Sequence, residues 1–231
     1  MPKVLIADEL SAHAVAIFRQ RGVEVDVRAG LKPPELKAAI ADYDGLAVRS
    51  ATKVTAEILA AASRLKVVGR AGIGVDNIDV PAATQRGVIV MNTPHGNSIT
   101  TAEHAIAMMF ALARQIPAAD KSTQAGKWEK SRFMGVELTG KILGIVGCGN
   151  IGSIVADRAL GLKMKVIAFD PYLSDERARD LNVQKVTLDE LLARADVITL
   201  HTPLTDSTRN LIDAKAIAKT KKGVRIINCA R

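Results

Sequence analysis

The residues with the clearest chemistry in this sequence are three glycines in the segment Gly-Cys-Gly-Asn-Ile-Gly at positions 147–152. An apolar strand pattern leads into the segment, and a helix-forming stretch follows it. In such a turn Gly147 allows the tight bend, Gly149 lets the backbone approach a pyrophosphate, and Gly152 lets the helix pack against the strand. The first turn of the helix presents unpaired N–H groups to phosphates. A G-x-G-x-x-G pattern alone is common, but this strand–turn–helix context predicts a dinucleotide site.

The second signal is Asp170, which lies at the end of the next predicted strand, 165–169. A carboxylate at that position can accept hydrogen bonds from both ribose hydroxyls, and it repels a 2′-phosphate. The alternative is a turn aspartate before Pro171 that binds no ligand. Because strand, glycines and acid follow one another in the order that a single mechanism requires, the pattern favours NAD over NADP.

The elements around these residues alternate between short Val/Ile-rich strands and amphipathic helices, which predicts an α/β fold with two doubly wound parallel sheets. A long helix at 98–115 separates the two series, so we expect domains at 1–97 and 98–231. Open sheets of this type often have about six strands. Only four are counted after residue 140, so the second domain is expected to be incomplete. The predicted strands are 3–8, 23–27, 46–48, 66–68, 88–91, 141–146, 165–169, 197–200 and 224–228.

Composition narrows the class of protein further. The net charge is +8, but only 3% of the 231 residues are aromatic, and the basic run at 219–222 is interrupted by a threonine. Nucleic-acid binding is therefore not expected, whereas an anionic small substrate is. The two cysteines, Cys148 and Cys229, form neither a metal-ligand spacing nor a disulfide framework. We therefore expect no metal site. No signal peptide or membrane-spanning pattern is found, so we expect a cytoplasmic protein.

Five further motifs resemble the D-2-hydroxyacid dehydrogenases, and the resemblance extends from residue 3 to residue 231. It implies a flavodoxin-like substrate domain followed by a Rossmann NAD-binding domain. It also implies oxidation at C2 of a 2-hydroxy acid, with 3-phosphoglycerate, a precursor of serine, as the expected substrate and 3-phosphooxypyruvate as the product. The motifs are VRSAT at 48–52, VGRAGIGVDN at 68–77, NTPHGNS at 92–98, HTPL at 201–204 and NCAR at 228–231.

The resemblance implies a set of substrate-binding residues after the strands of the first domain. Arg231 matches the catalytic arginine, whose planar fork can bind the substrate carboxylate and the reacting oxygen. Two further arginines and several backbone amides suit a doubly anionic substrate. The substrate-binding set is Arg49, Ser50, Arg70, Gly72, Ile73, Gly74, Asn97 and Ser98.

On the cofactor side the resemblance adds residues that are expected to act through their backbone or by packing. The position of Ile73 can be a threonine in relatives, so isoleucine forfeits a hydroxyl that helps to hold the cofactor. The cofactor-binding set is Ile73, Gly147, Gly149, Asn150, Ile151, Gly152, Asp170, Thr202, Pro203, Cys229, Ala230 and Arg231.

None of the four histidines, His13, His95, His104 and His201, is expected to be the catalytic base. In the family, the acid–base histidine and the glutamate that orients it follow the catalytic arginine, and no such residues occur up to position 231. The isolated chain is therefore expected to be inactive. His104 is predicted to be a packed core residue. Cys229 is predicted to be a packing residue, because hydride transfer needs no covalent intermediate.

Three alternatives stay open at this point. The chain could belong to a glyoxylate/hydroxypyruvate or a D-lactate type enzyme of the same family. It could also be an NAD-sensing interaction module that does not depend on turnover. A homodimer or homotetramer is expected in either case, because the helix at 98–115 and the stretch 115–134 carry excess apolar residues, with Trp128 as an anchor.

Overall fold

A computed structural model describes residues 1–230, and the chain divides into two compact units, Met1–Asn97 and the remainder from Ser98 onward. Arg231 lies outside the described residues. Within 1–230 no helix is both long and apolar enough to cross a membrane. Over the same residues no cluster of three or more His, Cys, Asp or Glu is placed to hold a metal ion.

The first unit is a five-stranded parallel sheet in the order β2-β1-β3-β4-β5. Its core is formed by apolar side chains of the buried strands, such as Leu5, Leu46 and Val68, against the flanking helices. The strand order reverses between β1 and β3, which is where doubly wound sheets bind ligands at their carboxyl edge. The elements are β1 (Lys3–Ile6), α1 (Ala12–Gln20), β2 (Glu24–Val27), α2 (Pro33–Ala39), β3 (Gly45–Val48), α3 (Ala56–Ala61), β4 (Val67–Arg70), α4 (Val80–Gln85) and β5 (Ile89–Met91), with a 3-10 helix at Ile40–Asp42.

The second unit is another five-stranded parallel sheet, in the order β10-β9-β6-β7-β8, and its order reverses between β6 and β9. Gly144 lies in the middle of β6, where the missing side chain leaves room for Leu191 of α9. The elements are α5 (Ser98–Ala113), α6 (Ile116–Gln124), β6 (Ile142–Val146), α7 (Asn150–Gly161), β7 (Lys165–Phe169), α8 (Asp175–Asp180), β8 (Gln184–Lys185), α9 (Leu188–Arg194), β9 (Val197–Leu200), α10 (Ala214–Ala218) and β10 (Arg225–Asn228), with a 3-10 helix at Lys130–Phe133.

The prediction of an α/β protein with two doubly wound parallel sheets is confirmed. The count of four strands after residue 140 was wrong, because β8 is a fifth strand. It consists of two exposed polar residues at the edge of the sheet, where it pairs with β7, so it leaves no apolar signal in the sequence. The predicted helix at 98–115 ends at Ala113, since Gln115 adopts a left-handed conformation (φ 55°) before α6 begins.

Candidate functional site

The glycine-rich turn of the second unit joins β6 to α7. Gly147 has φ 89°, and a Cβ atom added to it would lie 2.7 Å from the carbonyl oxygen of His201. At Gly152 an added Cβ would collide with the carbonyl oxygen of Gly147, so the first turn of α7 packs directly on the end of β6. Gly149 is different, because no atom lies within 4 Å of the position that its Cβ would take. The turn is therefore closed on its inner side and open at Gly149.

The open side of the turn presents the start of α7. Gly149 is the N-cap residue and provides no side-chain hydrogen bond. Within the described residues, the N–H groups of Asn150, Ile151 and Gly152 have no partner. Unpaired N–H groups and the positive end of the helix dipole attract phosphate. This end of α7 can hold a pyrophosphate.

Asp170 follows β7 and is held by the backbone on both sides. Its Oδ2 accepts the N–H of Cys148 at 2.8 Å, and its Oδ1 accepts the N–H of Tyr172 at 2.8 Å. Because each carboxylate oxygen can accept a second bond, two acceptors remain for ribose hydroxyls. Burial, together with the charge of Asp170, raises the pKa of Cys148 to about 11, so this thiol stays protonated and unreactive near neutral pH.

His201 directly follows β9, the third strand whose carboxyl end borders this site. Its N–H donates to the carbonyl of Val146 at 2.8 Å, and its Nε2 shares a hydrogen bond with the Thr199 hydroxyl at 2.9 Å. Burial lowers the pKa of His201 to about 4. The imidazole is therefore neutral near pH 7, and the absence of a catalytic role for His201 stays a prediction. Thr202 and Pro203 follow directly, and the Thr208 hydroxyl donates to the Pro203 carbonyl at 2.5 Å.

Protonation of His201 should make stability depend on pH. The pKa is lower in the folded state than the ordinary 6.5, so the folded state is fully favoured above pH 6.5 and loses stability as the pH falls toward 4. We expect a slope of up to about 1.4 kcal/mol per pH unit from this group. Urea unfolding at pH 6.5 to 5 should show the slope in the wild type and a flatter profile in His201→Gln. Equal slopes in both proteins would contradict a buried neutral His201.

The last predicted cofactor residues follow β10. Cys229 is half-buried and packs against the core cluster that α5 and α7 form over the sheet. Burial raises its pKa, in line with a packing role. The N–H of Ala230 donates to the Asn228 side chain at 3.0 Å. Arg231, the predicted catalytic residue, is not among the described residues.

In the first unit, four of the predicted substrate residues form one hydrogen-bonded group, namely Arg49, Ser50, Arg70 and Gly74. Arg49 and Ser50 lie on an exposed loop after β3, whereas Arg70, at the end of β4, is only 3% exposed. The Arg70 guanidinium donates to the Arg49 carbonyl and the Ser50 hydroxyl, both at 3.2 Å, and also to the Gly74 carbonyl. The buried Arg70 side chain therefore holds the loops at 49–50 and 72–74 together, whereas Arg49 and Ser50 are exposed to solvent.

The loop at 72–74 is shaped around that guanidinium. A Cβ added to Gly72 would lie 2.9 Å from Arg70 Nη1, so only glycine allows this approach without a shift. Asn92 donates to the Ile73 carbonyl at 2.7 Å. Within residues 1–230 the N–H groups of Ile73 and Gly74 donate to no partner, which leaves them available to an anion.

Asn97 and Ser98 are placed differently from each other. Asn97 is exposed, and Ser98, at the start of α5, is 4% exposed. Among the described residues the Ser98 hydroxyl has no hydrogen-bond partner. Direct substrate contact by Ser98 stays a prediction.

Three residues that organise the first unit's loop were not identified from the sequence as functional. Asp8, Thr52 and Asn77 make six hydrogen bonds around residues 49–52. Thr52 and Asn77 lie within motifs quoted for the resemblance. Asp8 is the last residue of the first predicted strand, and a carboxylate at the end of an apolar strand is the signal that could have drawn attention to it.

Comparison with known proteins gives the class. Residues 106–231 match the model of the D-isomer specific 2-hydroxyacid dehydrogenase NAD-binding domain. The chain is 51% identical to D-3-phosphoglycerate dehydrogenase of Archaeoglobus fulgidus over 229 residues, which is 99% of this chain and 44% of that protein. It thus spans less than half the length of this curated relative.

Solved structures agree. The chain matches NAD⁺-bound 3-phosphoglycerate dehydrogenase of Entamoeba histolytica with a TM-score of 0.83 and 34% identity, over 100% of this chain and 72% of that one. It also matches D-lactate dehydrogenase of Aquifex aeolicus, complexed with NAD and lactic acid, with a TM-score of 0.88 and 27% identity, over 99% and 69%. The chain belongs to the D-isomer specific 2-hydroxyacid dehydrogenase family.

NAD is the cofactor of this family's domain, and the residues present fit it. The open space at Gly149, the unpaired N–H groups of α7 and the free acceptor positions of Asp170 are the features that a pyrophosphate and a ribose require. When bound, NAD supplies the hydride acceptor.

Proposed function

We propose that the whole protein oxidises D-3-phosphoglycerate to 3-phosphooxypyruvate with NAD, in the synthesis of serine. The observation that carries the proposal is the exposed cationic loop of Arg49 and Ser50 on the same chain as a turn that fits NAD. A phosphorylated 2-hydroxy acid has two anionic groups, and this loop and the free amides at 73–74 offer two sets of donors. Relatives named D-3-phosphoglycerate dehydrogenase at about half identity support the same substrate.

In this proposal the residues of the first unit bind and orient the substrate. Arg49 and the Ser50 hydroxyl bind the phosphate, and the N–H groups of Ile73 and Gly74 bind the carboxylate. Arg70 keeps both loops in place through its three hydrogen bonds to them. Asn97 is a further substrate contact.

The residues of the second unit hold the cofactor and the reacting atoms. Asn150 and Ile151 bind the pyrophosphate through their backbone, and Thr202, Pro203, Cys229 and Ala230 form walls of the cofactor pocket. Arg231 binds the substrate carboxylate and stabilises charge on the reacting oxygen. Orientation of this kind accounts for much of the rate of such reactions.

The proposal is tested by comparing substrates in the whole protein. We expect kcat/KM for D-3-phosphoglycerate to exceed that for D-lactate and glycerate by roughly 100-fold, because each lost charge-assisted contact costs about 1.5–3 kcal/mol. The alternative is an enzyme for unphosphorylated hydroxyacids, favoured by the match to the lactate-bound structure. Faster turnover of D-lactate than of D-3-phosphoglycerate would establish that alternative. NAD binding without turnover of any hydroxyacid would favour the sensor.

We propose that two copies of the chain associate through the second unit. Trp128 is 86% exposed, Met134 is 75% exposed, and Ile116, Met108 and Leu112 are about half exposed on α5 and the following segment. Exposed apolar side chains in one region are characteristic of an interface. Sedimentation should give a dimer for the wild type and a shift toward monomer for Trp128→Glu, and a wild-type monomer at micromolar concentration would refute the proposal.

A further inference from the structure

Asp8 is a buried carboxylate to which the proposed reaction assigns no role. It follows β1 and is 5% exposed. Its Oδ2 accepts the N–H groups of Arg49 at 2.5 Å and Thr52 at 3.2 Å, and its Oδ1 accepts the Thr52 hydroxyl at 2.7 Å. A buried carboxylate is unfavourable unless hydrogen bonds satisfy it, and here all three donors belong to one loop. Asp8 therefore ties both ends of the loop 49–52 to β1.

The opposite side of the loop is held by two other side chains. The Asn77 amide donates to the carbonyls of Arg49 at 2.8 Å and Thr52 at 2.7 Å. Arg70 Nε donates to the same Arg49 carbonyl at 3.2 Å. The N–H and the carbonyl of both Arg49 and Thr52 are thus engaged, so the two end residues of the loop are fixed in orientation.

The two residues between those ends are presented to solvent. Ser50 and Ala51 are exposed, and within the described residues their N–H groups donate to nothing. The Ser50 oxygen accepts from Arg70, which leaves its hydrogen free to donate outward. Successive free N–H groups beside a guanidinium form a concave site for a phosphate group.

We propose that Asp8 is a positioning residue for phosphate binding. By occupying the N–H groups of Arg49 and Thr52, it leaves those of Ser50 and Ala51 as the outward donors and aims them with the Arg49 side chain at one phosphoryl group. The identification of that group as the phosphate of D-3-phosphoglycerate rests on the proposed function, whereas the geometry of the loop does not.

The test compares Asp8→Ala with Asp8→Asn. Alanine removes both carboxylate oxygens and with them the three hydrogen bonds that they accept. We therefore expect the Kd for inorganic phosphate and the KM for D-3-phosphoglycerate to rise about tenfold, with kcat changed less than about threefold. Asparagine is the matched rescue. The amide oxygen of asparagine can accept hydrogen bonds from the N–H groups of Arg49 and Thr52, and its NH₂ group can donate to the Thr52 hydroxyl oxygen. The Thr52 hydroxyl then donates to the Ala7 carbonyl, which lies 3.3 Å away. We expect Asp8→Asn to bind phosphate as the wild type does.

Amide NMR of the chain detects phosphate binding at the loop 49–52 directly. Phosphate should shift the Ser50 and Ala51 signals in the wild type and in Asp8→Asn, but not in Asp8→Ala. If Asp8→Ala does not fold, Thr52→Val, which removes only the hydroxyl, should weaken phosphate binding about threefold. Unchanged phosphate shifts and affinity in the alanine or the valine variant would overturn the proposal. So would an asparagine variant as weak as alanine, because the charge rather than the shape would then matter.

The same data separate this inference from the proposed function. Phosphate binding that depends on Asp8, in a whole protein that does not oxidise D-3-phosphoglycerate, would refute the proposed substrate and keep the positioning role. Normal oxidation of D-3-phosphoglycerate by Asp8→Ala, with an unchanged KM, would refute the positioning role and keep the substrate.

Discussion

Replacing Gly152 with alanine is expected to lower the affinity for NAD about a hundredfold or more, which corresponds to about 2.7 kcal/mol. The new methyl group would collide with the carbonyl oxygen of Gly147, which is backbone and cannot rotate away. The first turn of α7 must then move off β6, and its N–H groups move with it. Overpacking of this kind also destabilises a fold by roughly 1–3 kcal/mol. Calorimetric titration with NAD and thermal unfolding measure the two effects.

Two other glycines of the same region separate an effect on folding from an effect on NAD binding, and Gly161 is the matched control. Gly161, in the last turn of α7, has open space around its missing Cβ, so Gly161→Ala should leave NAD binding unchanged. Gly149 is also open, but on the side where the pyrophosphate is expected. Gly149→Ala should therefore unfold like the wild type and still bind NAD about tenfold less tightly. A folded Gly152→Ala protein with wild-type affinity for NAD would contradict the assignment of the turn.

Replacing Asp170 with alanine is expected to weaken NAD binding roughly 10- to 100-fold and to reduce the preference for NAD over NADP. The carboxylate accepts hydrogen bonds from the N–H groups of Cys148 and Tyr172, and it keeps acceptor positions free for the ribose hydroxyls. Alanine removes both kinds of hydrogen bond. Its negative charge also repels a 2′-phosphate. Affinities for both cofactors, measured on the same preparation, give the change in preference directly.

Asp157 is the control for a general effect of charge. It lies exposed on α7, where its ion pair is with the neighbouring Arg158. Asp157→Ala removes one negative charge from the same unit and should change neither affinity. An Asp170→Ala protein that keeps the wild-type ratio of NAD to NADP affinity would show that another group selects the cofactor.

The sequence was sufficient to place the glycine-rich turn between a strand and a helix, because the signals for that arrangement are local. Gly147, Gly149 and Gly152 are read from one short segment, and each has the surroundings that its predicted role requires. Asp170 follows the next strand, so parallel pairing of β6 and β7 brings it to Cys148. Short Val/Ile-rich runs likewise predicted nine of the ten strands of the two sheets, and only β8, with two exposed polar residues, was missed.

Contacts between distant segments could not be predicted in the same way. Asp8 bonds to residues 41 and 44 positions later, and only the pairing of β1 with β3 brings them together. Arg70 shows the same limit, since its motif does not reveal the hydrogen bonds that the buried guanidinium makes to the loops at 49–50 and 72–74, and direct substrate contact by Arg70 stays a prediction. A motif shows that a residue is important, but it does not show which atoms the residue contacts.

Helix periodicity also misplaced residues at the edge of a face. The sequence places apolar residues of α5 at helical spacing, as expected for one buried face; Ala102, Met109 and Ala113 are buried, but Ile99 is 57% exposed. His104, predicted to be packed, is exposed. Ile99 and His104 are five residues apart and so lie on different sides of α5, and the apolar spacing alone did not separate its core face from its surface.

The most direct test of the function is the fate of the hydrogen on C2. The whole protein is given NAD and D-3-phosphoglycerate that carries deuterium at C2, and the reduced cofactor is analysed by mass spectrometry. We expect one deuterium in each reduced nicotinamide and none released to water, because hydride passes directly from substrate to cofactor. Reduced cofactor without deuterium, or no reduced cofactor from any 2-hydroxy acid, would contradict it.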